Sequence, residues 1–376
     1  MPLPRPRVLV GVVAAAVLGL TGCLQTTGGE PLGTVTTSRA GVAAAPAECF
    51  TGLLTGEGSS AQKSALEDTV TGYRRGCPEA KVSYSGSGSA AGVRQFIARQ
   101  VDFAGADAPL DGSSSDARSE AGEAARACAA PAWNVPVITV PVALAYRLDG
   151  VDDLVLTPEV TAGIFSGRLT TWNDPAISRI NPGTSLPPDP IKVFFRSDLS
   201  GTTHNFTSYL AGAAAPWWTA VPAQRWPGPV GAGREKSAGV VRGVQNANGG
   251  ITYVDWSYAR AAQLRVARID NGAGPVELTS ASVSTAVNAA ARTRTSADLA
   301  LTVDAATREP DAYPIIGFSY LIVCSRHRNP AQGARVRAFL SYYLSSAVQQ
   351  GLADLGHVPL PERLRVTVAA AAESLR

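Results

Sequence analysis

Three short segments of this chain concentrate glycine and hydroxyl side chains: Thr55-Gly56-Glu57-Gly58-Ser59-Ser60, Ser85-Gly86-Ser87-Gly88-Ser89 and Ser200-Gly201-Thr202-Thr203. Each follows an apolar run of strand type and precedes a helical pattern. A helix start presents backbone N–H groups without intrahelical partners and a partial positive charge. Glycine lets a ligand come close to that backbone, and hydroxyls add donors, so such a junction suits an anion. Serine and threonine are also ordinary N-caps, and one such segment says only that a helix begins. Three in one chain, the third preceded by Arg196, point to a shared anion. The Arg196 guanidinium offers a planar fork of donors that fits a tetrahedral oxyanion. Asp198, two residues on, is placed to brace that fork; the plain alternative is an exposed Arg–Asp pair of little worth.

Asp107 looks out of place beside an anion. It makes sense if the ligand carries a proton, because an ionised carboxylate only accepts hydrogen bonds and pairs with the O–H of monohydrogen phosphate, HPO₄²⁻. Sulfate brings no proton at neutral pH and would leave that acceptor unpaired beside a like charge. Leaving a buried polar group unpaired costs about 1–3 kcal/mol, more for a charge. A site built around a ligand hydroxyl can reject analogues lacking it by roughly 10⁴-fold or better.

These residues must be positioned by alternating strands and helices. Glu48–Leu54 leads into the first segment, and Leu66, Val70 and Tyr73 at i, i+4, i+7 predict the helix after it. Lys81–Tyr84 reads as a strand before the second segment, with Val93, Phe96 and Ile97 on one face of the following helix. Val101–Phe103 reads as a short strand before Asp107, and Ile191–Phe195 as the strand before Arg196 and the helix bearing Phe206, Tyr209 and Leu210. Residues 111–127 read as a solvated helix or loop. Val135–Tyr146 and Tyr313–Cys324 are long apolar strand candidates, Ile251–Val254 a shorter one, Pro158–Phe165 a helix and Val336–Tyr343 the start of a terminal helical region. Strand–loop–helix units of this kind predict an α/β fold with largely parallel sheets.

Rival chemistries lack their parts. No Gly-x-Ser-x-Gly nucleophile elbow occurs. The histidines are His204, His327 and His357; His204 lies beside the third segment but reads as a helix-surface residue without a carboxylate partner. No His-Glu-x-x-His or similar cluster marks a metal, so neither an enzyme nor a cofactor or metal site is expected. Gly86 and Gly88 begin like a dinucleotide fingerprint, but the third glycine falls one position late, at Gly92. Another anion such as sulfate or molybdate, and a purely structural surface protein, are the remaining rivals. Trp217, Trp218 and Trp226, set among prolines, read as packing rather than a carbohydrate-stacking surface.

The N-terminus reads as a leader. Arg5 and Arg7 precede the uncharged run Val8–Leu20, of signal-peptide length and too short for an ordinary membrane span. The run ends at Leu20-Thr21-Gly22-Cys23, similar to a lipobox, which predicts cleavage after Gly22 and a lipidated Cys23. Residues 23–47, rich in Gly, Thr, Ala and Pro, read as a flexible tether. The chain carries 33 Lys and Arg against 30 Asp and Glu, and that near balance without a basic run argues against nucleic acid. The rest is long enough for two lobes, expected over 48–135 with 318–376 and over 136–317. Cys49, Cys77, Cys128 and Cys324 remain after Cys23. An even number in an exported chain predicts two disulfides; three pairings are open, and Cys49–Cys77 within one lobe with Cys128–Cys324 near a crossing is favoured.

Taken together, the segments resemble the phosphate-binding protein of the phosphate-specific ABC transporter, over roughly residues 50–360. The first two Gly–Ser segments look like that family's ligand loops, Val101-Asp102-Phe103-Ala104-Gly105-Ala106-Asp107-Ala108-Pro109-Leu110 is similar to its aspartate segment, and Arg196-Ser197-Asp198-Leu199-Ser200-Gly201-Thr202-Thr203 is the most specific match. Weaker matches are Ile164–Gly167 through Asp174, and Gly250–Asp255 with Tyr258-Ala259. The resemblance implies a two-lobed fold of the periplasmic-binding-protein type II kind, with a dehydrated phosphate in the cleft between lobes joined by two crossing segments. It implies ligands Ser60, Ser89, Asp107, Arg196, Ser200, Gly201 and Thr202, backbone contributions from Ser59 and Ala61, and Asp198 bracing Arg196. It further implies a monomer that serves the permease subunits of an ABC importer from the membrane surface. Ala61, where the family often has Phe, Glu57 at a commonly small position, Ala106 where Ser often precedes the aspartate, and Arg234-Glu235-Lys236 before Ile251 depart from the pattern.

Overall fold

The computed structural model describes residues 45–290, 298–354 and 356–376. The leader, Cys23 and nearly all of the tether lie outside these. The chain opens with β1 (Gly52–Gly58), α1 (Lys63–Gly76), β2 (Ala80–Ser85), α2 (Ser89–Ile97), β3 (Phe103–Ala106) and α3 (Glu120–Cys128), then enters the long β4 (Ala132–Arg147). The middle of the chain forms β5 (Val155–Leu156), α4 (Pro158–Phe165), α5 (Pro175–Arg179), β6 (Lys192–Arg196), α6 (Gly201–Ala213), β7 (Ala232–Arg234), α7 (Lys236–Gln245), β8 (Gly250–Asp255) and α8 (Trp256–Ala261). It continues through β9 (Arg265–Val266), β10 (Arg268–Asp270), β11 (Pro275–Val276) and α9 (Ser280–Ala290). The return is β12 (Ile316–Cys324), followed by α10 (Pro330–Tyr343), α11 (Ser346–Asp354) and α12 (Glu362–Glu373).

The main strand order is β2-β1-β3-β12-β4-β8-β6-β7, with β9 beside β4, and β11-β10-β5 form a small satellite sheet. Two parallel groups, β1 with β2 and β3, and β6 with β7 and β8, flank an antiparallel centre. There β12 pairs antiparallel with β3 and β4, and β4 with β8. The expectation of largely parallel sheets is therefore corrected. A strand that crosses directly between two parallel groups needs no crossover helix, so it meets its neighbours antiparallel. β4 does this: Ala132–Pro141 pairs with β12, and Val142–Arg147 with β8. β4 thus runs from one parallel group to the other, with β12 alongside its first part.

Both crossing strands are apolar because both faces are covered. Val135, Val137, Ile138, Val140 and every residue from Val142 to Tyr146 are completely buried. Such a near-continuous run is the mark of a strand packed on two sides, and each Val, Ile or Leu in it contributes about 1.5–3 kcal/mol on burial. Within that apolar surrounding β12 buries Ser319 completely, a polar residue that needs a partner.

The disulfides are Cys49–Cys77, which ties the start of the domain to the end of α1, and Cys128–Cys324, which joins the C-terminus of α3 to the end of β12. This is the favoured pairing. Residues 111–119 are the solvated loop, while Ser119 caps α3, whose Ala121 and Ala124 are buried. Trp218 and Trp226 are buried, Trp226 stacking among Phe195, Phe206 and Tyr253 beneath α6. Trp217 stays about half exposed, under Arg168. These tryptophans brace the second lobe rather than form a stacking surface.

Candidate anion site between the lobes

The expected ligand residues converge where the strand ends of the two parallel groups face each other. Strand β1 runs on to Gly58, further than expected, so the first segment narrows to a tight turn, Ser59–Gln62, before α1. The second segment turns at Gly88, whose φ of +106° only glycine adopts readily; this lets α2 begin at Ser89 directly after β2. Asp107 follows β3. Arg196 ends β6, and Ser200 caps α6 by accepting the Thr203 N–H at 3.3 Å.

Hydrogen bonds tie these segments into one network. Ser89 Oγ accepts from the Asp107 N–H at 3.4 Å and from the Gly201 N–H at 3.3 Å, so one hydroxyl bridges the lobes. Thr202 Oγ1 donates to Asp107 Oδ2 at 3.5 Å, and Asn205 Nδ2 to the Asp107 carbonyl at 2.8 Å. Ser60 Oγ lies 3.1 Å from Ser237 Oγ, which accepts from Arg196 Nη1 at 3.3 Å. The Tyr258 hydroxyl donates to the Ser60 carbonyl at 2.9 Å. Ser59, Ser60, Ser89, Asp107, Arg196, Ser200 and Thr202 are all buried.

Arg196 is not a surface residue. Its side chain is 3% exposed and that of Asp198 15%, and the guanidinium donates from Nε and Nη2 to both carboxylate oxygens of Asp198. The fork is thus oriented by the protein's own carboxylate. Burial pushes the Asp198 carboxyl up, but the Arg196 hydrogen bonds and charge and the Lys236 N–H outweigh it, leaving its pKa below the ordinary value.

Asp107 is 2% exposed. Burial raises its pKa, opposed by hydrogen bonds from Ser319 and Ser59, the Arg196 charge and Thr202. Ser59 behaves differently from expectation. Its N–H, anticipated as a ligand donor, is taken by the Gly105 carbonyl at 2.8 Å. Its hydroxyl donates to Asp107 Oδ2 at 2.6 Å and accepts from the Ala61 N–H at 3.0 Å. The Ala61 N–H is thereby also engaged within the turn.

Sequence reading missed Ser237 and Ser319, and it noted Tyr258 only within a weaker family match, without a role. A signal existed for Ser319: a serine inside an otherwise apolar strand must find a partner. For Ser237 there was none, since its partners lie far along the chain. His204 is half-buried rather than on the helix surface, and it lines with Asp107 a cavity of about 210 Å³. Burial holds its imidazole pKa below the ordinary value, with Asp111 opposing. His357 is buried against Ser64, its pKa pushed down to about 4 by burial and by the Arg260 charge. Among the described residues no cluster of His, Cys, Asp and Glu is arranged to hold a metal ion.

A two-lobed α/β fold with crossing strands, and between its lobes a set of neutral donors, one braced guanidinium and one buried carboxylate, define a solute-binding protein for a small oxyanion. Residues 30–347 match a PBP superfamily domain. The chain is 38% identical over 379 residues to phosphate-binding protein PstS2 of Mycobacterium bovis, with 100% of both chains covered. It is 35% identical over 380 residues to phosphate-binding protein PstS 3 of Mycobacterium leprae, again with 100% of both covered. Solved structures share the fold. A high-affinity periplasmic phosphate-binding protein bound with phosphate superimposes with a TM-score of 0.67 at 24% identity, covering 84% of this chain and 93% of that one. A phosphate-binding protein from Stenotrophomonas maltophilia gives 0.64 at 19%, covering 85% and 94%. The chain belongs to the phosphate-binding protein family of the PBP superfamily.

Proposed function

We propose that this chain captures inorganic phosphate as HPO₄²⁻ in the cleft between its lobes and delivers it to the permease subunits of an ABC importer, without catalysing a reaction. The observation that carries this reading is the placing of an acceptor-only carboxylate, Asp107, among donors: Ser89, Thr202, the start of α6 and the Arg196 fork. Only an anion that still carries a proton satisfies both kinds of group at once. We assign the ligand role to Ser60, Ser89, Asp107, Arg196, Ser200, Gly201 and Thr202, with Asp198 as the brace. The ligand replaces the direct bonds that Ser60 and Arg196 make to Ser237. We assign the lobes to 48–135 with 318–376 and to 136–317; β4 changes partner between Pro141 and Val142, six residues past the first boundary.

Calorimetric titration of the purified chain with phosphate and with sulfate, beside a hydrolysis assay on p-nitrophenyl phosphate, tests the reading. Phosphate binds, sulfate does not compete, and no ester is cleaved. Phosphate heats indistinguishable from buffer would end it. Asp107→Asn is expected to weaken phosphate binding at least about tenfold, or to erode the preference over sulfate by that factor, since it puts an amide in place of a buried charged acceptor. Wild-type affinity and selectivity in that variant would remove Asp107 from the role.

No described helix is long and apolar enough to cross a membrane. We place the protein outside the cytoplasm as a monomer, held to the membrane by lipid on Cys23, as the leader pattern supports. Several acyl chains on one cysteine anchor firmly where a single chain does not. Cys23→Ser is expected to move the protein from the membrane fraction to the medium, read by fractionation and immunoblotting; retention in the membrane fraction would refute the anchor.

A further inference from the structure

The two oxygens of the Asp107 carboxylate are held by different parts of the chain. Ser319 Oγ, in the middle of the crossing strand β12, donates to Oδ1 at 2.7 Å. Ser59 Oγ, just past β1, donates to Oδ2 at 2.6 Å. Ser59 is 1% and Ser319 0% exposed, so neither hydroxyl has bulk water as an alternative partner. A serine hydroxyl has one proton. Ser59 already accepts from the Ala61 N–H at 3.0 Å, which leaves its proton for Asp107. The carboxylate has about four lone-pair sites, so both serines and Thr202, which donates to Oδ2 at 3.5 Å, can be served while a site remains for a ligand O–H.

The other groups facing Asp107 offset its burial only in part, and its pKa stays above the ordinary value. From β6 comes the Arg196 charge, which favours the ionised form. Tyr84 and Tyr258, from β2 and α8, carry hydroxyls whose pKa burial raises further, so they stay neutral. Asp255, at the end of β8, is a second buried carboxyl, pushed up to about 7 by burial and by the Asp107 charge, with Ser257 opposing. His204, from α6, lines the adjoining cavity. Burial favours the neutral acid; the two serines and Arg196 oppose it.

We propose that Ser59 and Ser319 are positioning residues that set the proton requirement of the site: by donating to both oxygens of Asp107 they keep it ionised and acceptor-only, so the anion must bring its own proton. This rests on the phosphate reading and deepens it. It also makes selectivity depend on pH. Once Asp107 takes up a proton it becomes a donor, and an anion without a proton, such as sulfate, gains the partner it lacked. Removing either serine raises the proton affinity of Asp107, so this change occurs at higher pH.

The test titrates the full chain with inorganic phosphate and with sulfate from about pH 8 down to about pH 4, a range that spans carboxylate ionisation. Wild type, Ser59→Ala, Ser319→Ala, Ser59→Thr and Asp107→Asn are compared. In wild type, sulfate binding emerges only toward the acid end. In both alanine variants its midpoint is expected to move up by about one pH unit or more, a tenfold change in proton affinity. Ser59→Thr keeps the hydroxyl and the wild-type midpoint, and in Asp107→Asn sulfate binding no longer shows that acid midpoint. Alanine midpoints equal to or below that of wild type, a Ser59→Thr midpoint that follows Ser59→Ala, or no emergence of sulfate binding in any variant would overturn the proposal. Failure of the phosphate reading looks different: wild type would bind neither anion at any pH.

Discussion

Replacing Arg196 with alanine is expected to lower phosphate affinity by two to three orders of magnitude and to destabilise the fold as well. The guanidinium is buried, its Nε and Nη2 are committed to Asp198, and Nη1 is the arm now resting on Ser237. Truncating one member of a buried, hydrogen-bonded charge pair costs about 2–5 kcal/mol, much of it because the other charge is left without its partner. Here that partner is Asp198, which would be left to backbone donors such as the Lys236 N–H at 2.9 Å. The double variant Arg196→Ala/Asp198→Asn is therefore expected to recover much of the stability and none of the affinity. Arg196→Lys falls between: the charge stays, but an ammonium cannot reproduce the planar fork.

The pH dependence carries a sign. The folded-state pKa of Asp198 lies below its ordinary value, so the pair contributes stability that is present above the unfolded pKa and is lost as pH falls through the folded one. In Arg196→Ala that acid-side loss should shrink. Calorimetry gives the affinities, and denaturant unfolding of the same variants across acid pH gives the stabilities. Phosphate binding by Arg196→Ala within tenfold of wild type would show that the fork does not hold the ligand.

The second large effect is expected from a single methyl group. Gly201 opens α6 in the second lobe and lies against Asp107 of the first. A Cβ there would come within 2.8 Å of Asp107 Cβ and 2.9 Å of its Cα and N. These are backbone or near-backbone atoms, which cannot swing aside as a long side chain would. Overpacking of this kind typically costs about 1–3 kcal/mol, and any retreat that relieves it also breaks the Gly201 N–H bond to Ser89 Oγ. Gly201→Ala is therefore expected to weaken phosphate binding by roughly ten- to several-hundredfold. The clash exists only where the lobes meet, and alanine suits a helix better than glycine, so stability without ligand should be unchanged or slightly higher. Small-angle scattering should show wild type compacting on adding phosphate and Gly201→Ala staying expanded. Tight binding with full compaction in the variant would mean that the lobes do not approach at this point.

Lost affinity without lost stability in one variant, and both losses in the other, separates two tasks of the site. Arg196 and Asp198 belong to the architecture of the second lobe, the fork oriented by the protein's own carboxylate. Gly201, Ser89 and Thr202 act across the cleft and matter only when it closes, as hinge-bending binding proteins do.

What the amino-acid order alone determined is local. The hydroxyl-rich strand-to-helix junctions, the i, i+2 spacing of Arg196 and Asp198 and the aspartate after β3 depend on a few consecutive residues and on backbone rules for helix starts, so their chemistry was legible without coordinates. The two long apolar runs announced long strands for the same reason. The antiparallel passage of β4 and β12 through the centre was not legible, because period and apolarity report burial but not the direction of a neighbour. Nor were Ser319 and Ser59 as joint holders of Asp107, or Ser237 and Tyr258 as partners of Ser60: these bonds join residues separated by 212, 48, 177 and 198 positions. A side chain's hydrogen-bond partner at such a distance is chosen by how strands and lobes pack, and that choice exists only once the chain has folded.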